Sequence, residues 1–177
     1  MLSKGPGMSG YKPSQRRVHV DLLAIAGWIS GTLHVPLKNS LLATFNRKSE
    51  FLPMTDARPD PCEPPIGFLA MRRSAIVLVV PSDEELERPV SAQLGTHAQL
   101  HVRFHLHDAI VEGTVEALAS LRISDFLETN PGFIVMSACT LEEGGNVKRF
   151  PQLLVNAAHV LAVTEAHVGD RKVLVGV

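Results

Sequence analysis

Three of the eight histidines, His101, His105 and His107, fall at even spacing in a stretch that alternates polar and apolar residues. Extended backbone puts such residues on one face, with positions i and i+2 about 6.6 Å apart, so two imidazoles can converge on one metal ion. His97 extends the row, and Glu112 or Glu116 on a neighbouring strand would complete a ligand set. The competing reading is a solvated His-rich face that titrates near neutrality. With no third fixed ligand in the pattern, the solvated face is favoured, and no cofactor is expected.

Nucleophilic chemistry finds less to work with. Gly27-Trp28-Ile29-Ser30-Gly31 is not the G-x-S-x-G elbow, and it lies in a strand pattern. Cys139 and His159 would form a pair only if the fold joined them, and a strand-borne cysteine is usually a small core residue. Glu142 and Glu143 stand beside Gly144-Gly145, in a stretch that reads as a solvated loop. Gly5, Gly7 and Gly10 match G-x-G-x-x-G, but no strand precedes them and Pro6 denies them a helix, so the match is accidental. The chain is therefore expected not to be an enzyme.

The elements that would position these residues come twice. Displacing the 177-residue chain by 82 sets His19 on His101, Val20 on Val102, Gly31 on Gly113, Thr32 on Thr114, Phe51 on Phe133 and Met54 on Met136. The offset then grows to 84, setting Leu69 on Leu153, Ile76 on Val160 and Val79 on Val163. Insertions of this size fall in loops. Each copy opens with an alternating strand, Val18-Val20-Leu22 or Leu100-Val102-Phe104-Leu106 on its apolar face. A second strand follows, Trp28 to Val35 or Ile110 to Ala117, with a central glycine that marks a bend or close backbone approach. A short helical turn comes next (39–46 or 121–127, with Ser124 or Asp125 as cap), and then a third strand, Phe51 to Ala57 or Phe133 to Cys139. Loops over 58–67 and 141–152 lead to two final short strands, of which Ile76 to Val80 reads as buried on both faces.

Five short strands and a bent second strand suggest an all-β chain of two tandem five-stranded small barrels. The expected division is a disordered basic tail (1–16), a first unit (17–81), a linker (82–97) and a second unit (98–177) with a C-terminal strand from Arg171 to Val177. Each unit has about 65 residues, a size at which a lone core is marginal, so contact between units or between chains must contribute to stability.

Met71-Arg72-Arg73-Ser74-Ala75-Ile76-Val77-Leu78-Val79 resembles the second motif of the Sm-like family, and Gly31-Thr32-Leu33 with Phe51 to Ala57 resembles parts of its first. Arg73 stands where that family has glycine, and Asn156-Ala157 stands where the second unit would carry the Arg-Gly pair. Arg122 to Leu127 followed by Phe133 also resembles small bacterial domains of this shape. The Sm-like resemblance implies an SH3-like barrel, edge-to-edge association, and RNA contacts through a loop asparagine and arginine. Arg72 matches that arginine, Arg73 adjoins it, and Asn46 is the nearest asparagine.

Charge limits the nucleic-acid reading. Seventeen basic and 18 acidic residues give −1 overall, which divides into +4 over residues 1–17 and −5 over the remainder. No apolar run reaches the roughly 20 residues that span a bilayer, and no leader-like apolar region opens the sequence, so a cytoplasmic protein without membrane contact is expected. Trp28 and His34 fall on the outward row of the second strand, with Ile110 as the counterpart of Trp28, and these three mark a contact surface. The leading expectation is a non-enzymatic module that binds another protein or copies of itself. The alternatives are an RNA- or nucleotide-binding module and a metal-binding protein using the histidine strand.

Overall fold

Alternation is realised as strands. Val18, Val20 and Leu22 are buried along β1 (Gln15–Ala24), and Gly31, Leu33 and Val35 along β2 (Gly27–Pro36). Leu100, Val102 and Phe104 do the same in β6 (His97–His105), and Val111, Gly113 and Val115 in β7 (Ala109–Leu118). The computed structural model describes residues 14–59, 61–82, 86, 96–165 and 173–174. Most of the expected tail and linker therefore lie outside the described residues. Arg16, placed in the tail by sequence, belongs to β1.

The other elements are β3 (Phe51–Arg58), β4 (Leu69–Arg72), β5 (Ile76–Pro81), β8 (Phe133–Glu143), β9 (Asn146–Asn156), β10 (Ala162–Glu165) and β11 (Val173–Leu174). Two short helices, α1 (Leu41–Phe45) and α2 (Ile123–Thr129), stand between the second and third strands of each half. The fold is all-β: every strand pairing is antiparallel, in one sheet of order β10-β6-β7-β8-β9-β5-β1-β2-β3-β4, with β11 also on β6. The path is two runs of five strands joined where β5 meets β9.

Sequence spacing reappears in backbone detail. The β2–β3 register shifts between Ser30 and Thr32, and the β7–β8 register shifts between Glu112 and Thr114. Each shift places one extra residue on the third strand, a β-bulge. The two described non-glycine residues with positive φ, Asp56 (53°) and Ala138 (51°), sit in these bulges. Facing them are Gly31 and Gly113. A methyl group on Gly113 would stand 2.9 Å from the Ser137 carbonyl oxygen and 3.1 Å from Cys139 Sγ. The glycines thus permit the close backbone approach that the bulges require.

Two local expectations are corrected. The stretch 141–152 is not a loop. Strand β8 runs to Glu143 and β9 starts at Asn146, joined through Gly144 (φ 54°) and Gly145 (φ 78°). Two glycines with positive φ make the two-residue turn whose twist suits a hairpin, so the charged residues either side extend the strands. The N-cap of α2 is Arg122, not Ser124 or Asp125, which lie within the first turn. In α1 the cap is Ser40, whose Oγ accepts from the Ala43 N–H at 3.0 Å.

Buried residues form two clusters, and neither stays within one half. Phe133 and Leu154 join the cluster built on β1 to β5, while Leu23, Leu78 and Val80 join the one built on β6 to β10. Strand β5 is buried on both faces, as its unbroken apolar run implied, because Leu78 and Val80 enter one cluster and Ile76 and Val79 the other.

Candidate interaction surface

Among the described residues, β5–β9 is the one strand pairing that joins the two runs, and its register is short. Leu78 faces Val155 and Val79 faces Leu154. The first pair belongs to the second-half cluster and the second pair to the first-half cluster. Alternation along two paired strands thus sends neighbouring side chains into different cores. All four are essentially inaccessible to solvent. Full burial of a large apolar side chain contributes about 1.5–3 kcal/mol, so this joint is a substantial part of the fold's stability.

A second contact locks the joint. The Phe133 ring packs on Phe45 with centroids 4.9 Å apart. The Phe133 N–H donates to Asn46 Oδ1 at 2.7 Å, and Asn46 Nδ2 donates to the Phe133 carbonyl at 2.9 Å. The side-chain amide therefore imitates a strand partner for one residue. Asn156 Nδ2 donates to the Ile76 carbonyl at 2.9 Å, and the His159 ring meets the Ser74 carbonyl at 2.7 Å.

Among the described residues, β4 pairs only with β3, and β10 pairs only with β6. Among the described residues seven large apolar side chains are exposed, and four lie at these two ends of the path: Phe51 (45%), Ile66 (40%) and Phe68 (65%) beside β4, and Leu161 (69%) beside β10. Phe51 lies opposite Arg72 of β4, whose guanidinium sits 5.4 Å above the ring centroid and 2.9 Å from Glu50. Ile66 bridges Ala57 just before β4, and Leu161 immediately precedes β10.

The residues singled out by sequence are placed as follows. Trp28 is half-buried between the halves: its Nε1 donates to Glu143 Oε2 at 2.7 Å, and Lys148 Nζ lies 5.1 Å above its ring. Its contact surface is used inside the chain. Ile110 is half-buried between His105 and Glu142, and the His34 ring meets Thr55 Oγ1 at 3.0 Å. Asn46 and Arg73 line one cleft of about 550 Å³ beside the joint. Both already have partners there, since Arg73 donates to the Phe45 carbonyl at 3.2 Å. Arg72 does not line that cleft; it is held by Phe51 and by Glu50, which stands at the cleft wall.

On the histidine strand, His101 Nε2 meets Glu112 Oε1 at 3.0 Å while Arg103 Nε donates to Glu112 Oε2 at 2.9 Å. These two bonds hold the Glu112 carboxyl below its ordinary range, the histidine bond being the larger cause. A guanidinium thus stands where a metal ion would need the carboxylate. His105 is half-buried and His107 is exposed beside Asp108. Among the described residues, no three His, Cys, Asp or Glu side chains gather to hold a metal ion.

Cys139 is buried beneath the second bulge, and burial pushes its thiol up to about 12. A neutral thiol of that kind is a packing group. Sequence reasoning missed Phe133 and Asn46 as a pair, because a separation of 87 positions carries no local signal of contact.

No protein-family model, curated protein or solved structure matches this chain. No helix among the described residues is long and apolar enough to cross a membrane.

Proposed function

We propose that this chain is a non-enzymatic self-associating module: two tandem five-stranded small-barrel units whose open sheet edges are the binding surface. One observation carries the reading. Four of the seven exposed large apolar side chains among the described residues, three beside β4 and Leu161 beside β10, lie at the ends of the strand path, where no described strand pairs with the outer edges of β4 and β10. An unpaired edge rimmed with apolar groups is a template for strand addition. The exposed apolar groups flank both ends of the β3–β4 ladder, Phe51 beside Arg72 and Ile66 and Phe68 beside Ala57.

The alternatives draw less from the geometry. An RNA- or nucleotide-binding role would use Asn46, Arg72 and Arg73, which are engaged with Phe133, Glu50 and Phe45. A metal-binding role would use the Glu112 carboxylate, which Arg103 occupies.

Light scattering across a concentration series tests the proposal. The wild-type mass should rise above the 19.2 kDa chain, and the Phe51→Ser/Phe68→Ser variant should return it toward one chain. A wild-type mass of one chain at every concentration would overturn it.

A further inference from the structure

Self-association alone leaves open which edges meet. We infer that β4 of one copy pairs antiparallel with β10 of another, head to tail, in the register that β9 and β5 adopt within the chain. This rests on the self-association reading and names its partner: a second copy, presenting the opposite end of its strand path.

The internal joint supplies the template. By the 84-residue spacing, β4 stands where β9 stands and β10 stands where β5 stands. Both copies of the spacing also carry a 3-10 turn before the last strand, at Arg73–Ala75 and Ala157–His159. One chain therefore holds one complete joint and the two halves of a second. Transferring the register puts Met71 opposite Ala162 and Ala70 opposite Val163.

Side-chain direction agrees with this transfer. In the joint, Val155 and Val79 point into their own halves' clusters, whereas Leu154 and Leu78 cross into the other half's. At the free ends, Met71 points into the first-half cluster and Val163 packs against the second-half cluster. The two crossing positions, Ala70 and Ala162, are the exposed ones. The side chains that would enter a partner are thus those that no described residue covers. Phe51 takes the place of Phe133, and the partner's α2 takes the place of α1.

Isologous pairing of β4 with β4, or of β10 with β10, reproduces none of this. Neither brings a crossing residue to a half-cluster of the right kind. Alanine replaces leucine at both crossing positions, so less apolar surface is buried than in the internal joint and the contact should be reversible. A heterologous contact of this sort propagates until it closes into a ring or continues as a filament.

Disulfide trapping reads the register. In a Cys62→Ser background, Ala70→Cys and Val163→Cys are made as separate proteins. Residues directly opposite in an antiparallel pair lie within disulfide reach. Mixing the two under mild oxidation should give a cross-linked species of twice the chain mass, absent from either protein alone. Leu69→Cys with Thr164→Cys, opposite in the same register, should behave alike and covers the case where the first pair does not fold. The pair Ala70→Cys with Ala162→Cys, on opposite faces, should not cross-link. Cross-linking of Ala70→Cys with itself would overturn the head-to-tail arrangement. So would the absence of every cross-link in a protein whose scattering mass exceeds one chain; in both cases self-association survives. A strict monomer would remove both proposals.

Discussion

Phe51 and Phe133 begin equivalent strands 82 residues apart, yet Phe133 is 3% exposed and Phe51 is 45% exposed. The difference lies in what meets them. Phe133 is received by Phe45 and Asn46 of the other half. No described residue gives Phe51 such a seat; only Arg72 lies across its ring. One side chain therefore serves the fold, and its counterpart stays exposed.

Truncating the two phenylalanines should separate these tasks. Phe133→Ala should cost about 3–5 kcal/mol in urea unfolding, the usual range for deleting a buried aromatic ring. Phe51→Ala should leave the unfolding midpoint of dilute protein nearly unchanged and lower the scattering mass at high concentration.

Asn46 should be a stability residue. Replacing it by alanine strands the Phe133 N–H and carbonyl in a partly buried seam, at a cost of about 1–3 kcal/mol. Asn46→Asp keeps the acceptor and loses the donor, so its midpoint should fall between those of wild type and Asn46→Ala.

The second bulge should respond in opposite directions to two small changes. Gly113→Ala pushes a methyl group against the Ser137 carbonyl and should destabilise by about 1–3 kcal/mol. Ala138→Gly relieves a left-handed alanine on an exposed site and should stabilise by up to about 1 kcal/mol. Thermal melts of both variants check the pair.

Glu112 should set a small acid sensitivity. Its folded carboxyl lies below the ordinary value, so it stabilises the fold above the unfolded pKa of about 4.3. That contribution is lost as pH falls through the lower folded value. Melting temperatures of wild type and Glu112→Gln should differ at pH 6 and converge under acid conditions.

Much of the fold was legible in the sequence because it is local. Alternation located β1, β2, β6 and β7, and Gly31 and Gly113 announced the bulges by recurring at one spacing. The Gly144-Gly145 hairpin was misread because flanking charges look like a loop until two positive φ values turn them into strand ends. Trp28 looked like an outward contact because its partner, Glu143, is 115 residues away. The β5–β9 joint was invisible for the same reason. An apolar run says that a strand is buried, not which strand buries it.

Strand addition at the free edges is tested most directly by backbone hydrogen exchange at two protein concentrations. Outward amides of β4 (Leu69–Arg72) and β10 (Ala162–Glu165) should exchange readily in dilute solution and gain protection in concentrated solution, while β5 and β9 stay protected throughout. Exchange at β4 and β10 that does not change with concentration would contradict the account.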